Sequence, residues 1–159
     1  MILFDTDILS IFAKVNRLDL LKNLFSVIYI TPMIREELFI PLEYGYRFPL
    51  KILSNSVVII PNEQEFDIYA KLRLKLGKGE AEAISIAKNR KLLFATNDKL
   101  AQKVAKENNV KVISLQAILK ACWKKKILLK EQVLNLIEDI KREDNLIIPE
   151  NAIENIIKE

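Results

Sequence analysis

Histidine is absent from this chain of 159 residues. Its absence excludes a Ser-His-Asp triad, a Cys-His pair and every histidine-based zinc site. There is one cysteine, Cys122, so no internal disulfide can form; the thiol reads as a small buried residue and fits a reducing cytosol. Three glycines and five prolines leave little room for long flexible linkers. No apolar run approaches the roughly 20 residues of a membrane span. No basic segment precedes the apolar opening Met1-Ile2-Leu3-Phe4, so no secretory leader is expected and the expectation is a cytoplasmic protein without membrane contact. Charge of one sign is not in large excess either. The 25 Lys and Arg against 21 Asp and Glu give a net +4, which permits binding to a phosphate backbone without demanding it.

Half of the residues are hydrophobic, enough for a substantial core in a chain the length of one ordinary domain. Short apolar runs alternate with helical patterns. Ile2–Phe4, Val27–Ile30, Val57–Ile60, Leu92–Ala95 and Lys111–Ile113 read as strands. Between them, helical patterns run through Ile8–Ala13, Leu18–Phe25, Thr31 to Ile40, Glu63–Leu76, Gly79–Asn89 and Asp98–Glu107, with Pro41–Pro49 irregular. Strands that are apolar throughout are normally buried on both faces. Their alternation with helices predicts a three-layer α/β/α fold with a central parallel sheet of about five strands. After Ser114 the pattern is helical only, over Leu115–Trp123, Lys130–Lys141 and Pro149–Ile157, as for helices packed on the domain.

Ligands of such a sheet bind beyond the carboxyl ends of its strands. Asp5 and Asp98 follow strands directly, and Glu37, Glu80 and Glu82 lie near helix starts that can point back to the same edge. Each acid also has an ordinary explanation. Asp5 and Asp98 can cap helices, Glu37 can be a solvated surface residue, and Glu80 and Glu82 can complement a helix dipole. A helical wheel puts Glu37 beside the Ile34/Leu38 stripe and Glu36 well away from it. It sets Glu80 nearer than Glu82 to the stripe of Ala83, Ile84 and Ala87. The arrangement of the acids at one edge is the signal. Clustered carboxylates repel unless a cation joins them, and the cation suited to oxygen ligands is hard, such as Mg2+ or Mn2+.

The ordered set resembles the PIN-domain ribonucleases, including the VapC toxin subunits, and is closest to relatives with a Gly-x-Gly-Glu-Ala-Glu-Ala motif. The matching residues are Asp5-Thr6-Asp7-Ile8-Leu9, Pro32-Met33-Ile34-Arg35-Glu36-Glu37, Glu82-Ala83-Ile84 with Ala87, and Thr96-Asn97-Asp98. The resemblance covers about residues 1–120, the PIN-like domain, with 121–159 a helical extension packed on it. It implies a divalent-metal endoribonuclease whose catalytic acids are Asp5, Glu37, Glu82 and Asp98, with Glu80 a further metal ligand. The motif favours Glu82 as the third acid and the wheel favours Glu80. One or two Mg2+ or Mn2+ ions would activate a water and stabilise charge on the scissile phosphate, with Thr6, Asp7 and Asn97 as outer hydrogen-bond partners. The implied partners are RNA, an antitoxin protein and a second copy of the chain. For the dimer, Leu128, Leu129, Val133, Leu136 and Ile137 offer an apolar surface, unless they complete the monomer core. The basic run after Trp123, Lys124-Lys125-Lys126, reads either as a solvated helix end or as an RNA contact.

Two other classes share these residues. A phosphatase of the haloacid-dehalogenase type would use Asp5 as nucleophile and Asp7 as acid/base. That family expects Thr or Val where Leu9 stands, and a lysine with no secure counterpart here. A catalytically silent PIN domain would bind RNA or protein without cutting.

Overall fold

Strands of two or three residues carry the whole sheet. The computed structural model describes residues 1–159. Its strands are β1 (Ile2–Phe4), β2 (Ile28–Ile30), β3 (Ser56–Val58), β4 (Leu93–Ala95) and β5 (Val112–Ile113). They pair in parallel in the order β3-β2-β1-β4-β5. Leu3 lies between Tyr29 and Phe94 in register. The chain builds outward from β1 to β3, then returns to the other side of β1 for β4. The direction of building therefore reverses between β1 and β4, and the loops leaving their carboxyl ends diverge to open a crevice there.

Ten helices cover both faces and complete the three-layer α/β/α fold. They are α1 (Thr6–Lys14), α2 (Leu18–Phe25), α3 (Pro32–Glu43), α4 (Phe48–Asn55), α5 (Glu63–Leu72), α6 (Lys78–Arg90), α7 (Lys99–Glu107), α8 (Leu115–Lys124), α9 (Lys130–Asp144) and α10 (Glu150–Ile157). Helix α6 packs on α3 and α5, while α1 packs on α4 and α9. Glu65 ties α5 to α6. It is fully buried, and its carboxylate accepts from Arg90 Nη2 at 2.7 Å, Arg90 Nε at 2.8 Å and Asn89 Nδ2 at 2.9 Å. Burial would raise the Glu65 carboxyl; the bonds from Arg90, Asn89 and the Asn62 N–H outweigh it and hold the group below the ordinary range.

The segment 41–49 is not irregular. Helix α3 continues through Pro41 to Glu43, and Phe48–Asn55 forms α4. Pro41 has no N–H to give the carbonyl of Glu37 four residues back, so the helix gives up that bond and persists. Pro49 sits in the first turn of α4, where a missing N–H costs nothing. Only Tyr44–Arg47 remains as a loop. Strand β3 comes one residue earlier and ends sooner than its apolar run, and Val57 on this edge strand is half exposed. Helix α5 stops at Leu72, with turns before α6.

The C-terminal helices share the core of the sheet. Val133, Leu136, Ile137, Ile140 and Ile156 belong to the same buried cluster as Leu3 and Phe94. Of the five tail residues considered as a dimer surface, Leu128, Val133, Leu136 and Ile137 are buried inside the monomer, and Leu129 alone is exposed. Lys14 of α1 pairs with Asp144 of α9 at 2.6 Å. Trp123 of α8 donates its indole N–H to the carbonyl of Ile156, with Lys124 and Lys130 ammoniums 5.0 and 4.5 Å from its ring centre. No helix is long and apolar enough to cross a membrane.

Candidate functional site

Asp5 stands where β1 stops. Its backbone N–H still reaches Ala95 O at 2.9 Å, which fixes the start of α1 against the end of β4. The side chain is 4% exposed. Its Oδ1 accepts the Thr6 N–H at 2.8 Å, the first N–H of α1 and not the second or third that a helix cap usually binds. Its Oδ2 accepts the hydroxyl of fully buried Thr96 at 2.8 Å, across the reversal point of the sheet. Burial pushes the Asp5 carboxyl up to about 8, the charge of Asp7 adds to it, the Thr96 hydroxyl opposes it, and Glu80 raises it again. A buried acid in that state takes either a proton or a cation.

Asp7 and Asp98 flank it. Asp7 Oδ2 accepts the Asn97 N–H at 2.9 Å and Oδ1 the Ile8 N–H at 2.6 Å. Burial nevertheless raises the Asp7 carboxyl above its usual range, and the charges of Asp98 and Asp144 push the same way. Asp98 is exposed and caps α7 by accepting the Ala101 N–H at 2.8 Å. Its own N–H donates to Thr96 Oγ1 at 3.2 Å. Thr96 thus links Asp5 to the backbone of Asp98 through one hydroxyl.

The third side of the crevice is built by α3 and α6, which exchange carboxylates. Glu37 of α3 accepts the Gly79 N–H, in the first turn of α6, at 3.1 Å, and the Thr6 hydroxyl at 2.6 Å. Glu82 of α6 accepts the Met33 N–H, in the first turn of α3, at 2.8 Å. Each helix start receives a negative charge from its neighbour, as its dipole favours. Gly79 is required for this approach, because a Cβ there would fall 2.5 Å from Glu37 Oε1. Glu36 points outward and is exposed. Glu80 is half-buried on the crevice side; burial raises its carboxyl, followed by the charges of Asp98, Glu37 and Asp7. Among Glu80 and Glu82, Glu80 is the one whose charge is felt by Asp5. Buried Glu82 is turned to the start of α3.

The structure therefore brings Asp5, Asp7, Glu37, Glu80 and Asp98 to one edge, linked by mutual repulsion. None of the five pairs with a lysine or arginine. No three of them close into a tight cage as they stand. The donor set fits a hard divalent ion in its chemistry: all oxygen, anionic, partly buried and not ion-paired to a basic side chain. The sequence offered no role for Thr96 or Gly79 beyond their places in the motifs. The signal was there in a threonine that closes an apolar run two residues before an acid, and in a glycine inside a helical pattern.

A family described as a PIN domain matches the chain over residues 1–159. No curated protein and no solved structure matches it.

Proposed function

The chain belongs to the PIN-domain family, a nuclease-type fold, and on that premise we propose that it is a divalent-metal-dependent endoribonuclease. One observation carries this reading: five carboxylates crowd the reversal point of the sheet and none forms an ion pair with a basic side chain. Asp5, Glu37, Glu80 and Asp98 are the residues that would hold Mg2+ or Mn2+. Held there, such an ion would supply an activated water and stabilise charge on the phosphodiester being cut. Thr96 and the Thr6 N–H fix the two oxygens of Asp5, and the Thr6 hydroxyl fixes Glu37. Asp7 holds the Asn97 backbone and so sets where Asp98 starts its helix. Glu82 acts on α3 rather than on the ion.

RNA is the substrate in this reading. Pairing with an antitoxin and with a second copy belongs to it through the motif likeness to VapC toxins. Membership in the family takes away the ground of the phosphatase alternative, which rested on Asp5-Thr6-Asp7 alone. The experiment is cleavage of a labelled RNA with Mn2+ or Mg2+, and with chelator, by wild type and Asp5→Asn. Wild type cuts only with the metal, and the folded variant loses cutting by a factor of at least about 100. Equal cutting by Asp5→Asn would remove Asp5 from the mechanism. No cutting by wild type on any RNA would leave a silent binding domain.

A further inference from the structure

The loop between α3 and α4 places two tyrosines in water on a stiff frame. Tyr44 is 79% and Tyr46 61% exposed. The loop is nevertheless tied down: Pro41 O accepts the N–H of Tyr44 at 3.1 Å and that of Tyr46 at 3.0 Å, and Leu42 O accepts that of Gly45 at 3.0 Å. Gly45 takes φ +89°, where a side chain would strain the backbone. The Tyr46 ring rests edge-on against Phe48 at 6.2 Å. Exposed aromatic faces held by a fixed backbone lose little freedom on meeting a flat partner.

These rings wall a cleft of about 830 Å³ between the ends of α1, α3 and α9, within the roughly 300–1,000 Å³ of ligand sites. Its charges are not balanced. Lys14 is taken by Asp144, and Glu143 by Arg142. Arg47 has no acidic partner, and Lys51 reaches only the side-chain oxygen of Asn16. Two cations without acidic partners therefore stand beside two exposed aromatic rings. Asp144, on the far wall of the cleft, also bears on Asp7, so the cleft adjoins the acidic edge.

We propose that this cleft binds single-stranded RNA, with unpaired bases stacked on Tyr44 and Tyr46 and phosphates on Arg47 and Lys51. The inference rests on the nuclease reading for its choice of RNA, and adds to it where on this chain the strand lies. Aromatic faces serve bases that are out of a duplex, where stacking is not already satisfied. Cations without acidic partners serve the backbone whatever the sequence.

The test is binding of a fluorescent 12-nucleotide RNA, alone and annealed to its complement, measured by anisotropy in chelator so that nothing is cut. Wild type is expected to prefer the single strand. Tyr44→Ala/Tyr46→Ala should weaken that binding about tenfold or more, while Tyr44→Phe/Tyr46→Phe keeps it, since the rings remain. Arg47→Ala/Lys51→Ala should flatten the dependence of log K on log salt by about 0.7 per charge removed. Unchanged affinity in the double alanine variant, or a preference for the duplex, overturns the inference. So does a variant whose only change is oligomeric state by light scattering, which would make the face a protein interface. Wild type that binds through the tyrosines but never cuts with Mn2+ sinks the nuclease reading and leaves this one standing. Wild type that cuts, with an alanine variant that binds as tightly, does the reverse.

Discussion

Asp5 is buried and carries a carboxyl pushed up to about 8, against an ordinary value of 3.8. The sign of its effect on folding follows. Below about pH 4 it is protonated in both folded and unfolded chains and costs nothing. As pH rises from there to about 8, the unfolded chain loses the proton and the folded one keeps it, so metal-free stability falls through that window and levels off above it. Asp7 and Glu80, also raised, add to the same slope. Asp5→Asn should therefore be more stable than wild type in chelator by at least about 1 kcal/mol at pH 8, and the two should converge toward pH 4. Urea unfolding at several pH values checks this. Loss of stability in the variant at pH 8 would mean that Asp5 serves as a helix cap and nothing else. The partner prediction contrasts Glu80 with Glu82. Glu80→Gln should abolish metal-dependent cutting. Glu82→Gln keeps an oxygen for the Met33 N–H and should retain cutting while losing roughly 0.5–1 kcal/mol of stability. The opposite pattern in a cleavage assay would return Glu82 to the metal.

At the level of elements, the exchange of carboxylates between α3 and α6 makes a backbone position matter to chemistry. Gly79→Ala puts a methyl group 2.5 Å from Glu37 Oε1 and nearly as close to the rest of the carboxylate. Glu37 must then leave the start of α6, while the helix itself gains a better helix former. The variant should fold with little change in melting temperature and cut at least about tenfold more slowly. An unaltered rate at saturating Mn2+ would show that Glu37 can serve from another position. This exchange also explains what could be seen in the sequence and what could not. The placement of Asp5 and Asp98 was legible because Asp5 follows its apolar run directly and Asp98 follows its own after Thr96 and Asn97, and a parallel sheet sends strand ends to one edge. The facing of Glu37 against Glu36 followed from helical period. Between Glu80 and Glu82 the helical period and the motif pointed opposite ways, and the contact that distinguishes them in the structure, the Met33 N–H on Glu82, joins residues 49 apart along the chain. Helix α4 was hidden by Pro41 and Pro49, two breakers that α3 and α4 accommodate in different ways.

For the whole molecule, the single core sets the outcome of shortening the chain. Val133, Leu136, Ile137 and Ile140 are buried from α9 and Ile156 from α10. A chain ending at Lys125 would bare their partners around α1 and α8, and it also loses the Lys14–Asp144 pair. It is expected to collapse into aggregates or a loosely packed state, with helical far-ultraviolet but weakened near-ultraviolet circular dichroism. A cooperative unfolding transition like that of the full chain would instead make residues up to 125 an independent unit. The alternation of strands and helices predicted the layers, but a list of apolar tail residues could not tell a dimer surface from a core, because that depends on which face α8 and α1 present to them. The indole of Trp123 has its own use here. It is the one tryptophan of the chain, half-buried, with its N–H held by Ile156 near the last turn of α10. Emission excited at the red edge of the protein band therefore comes from a lamp mounted under the final helix. Lifting of α10 lets water reach it and moves the emission to longer wavelength, whether or not the sheet has opened.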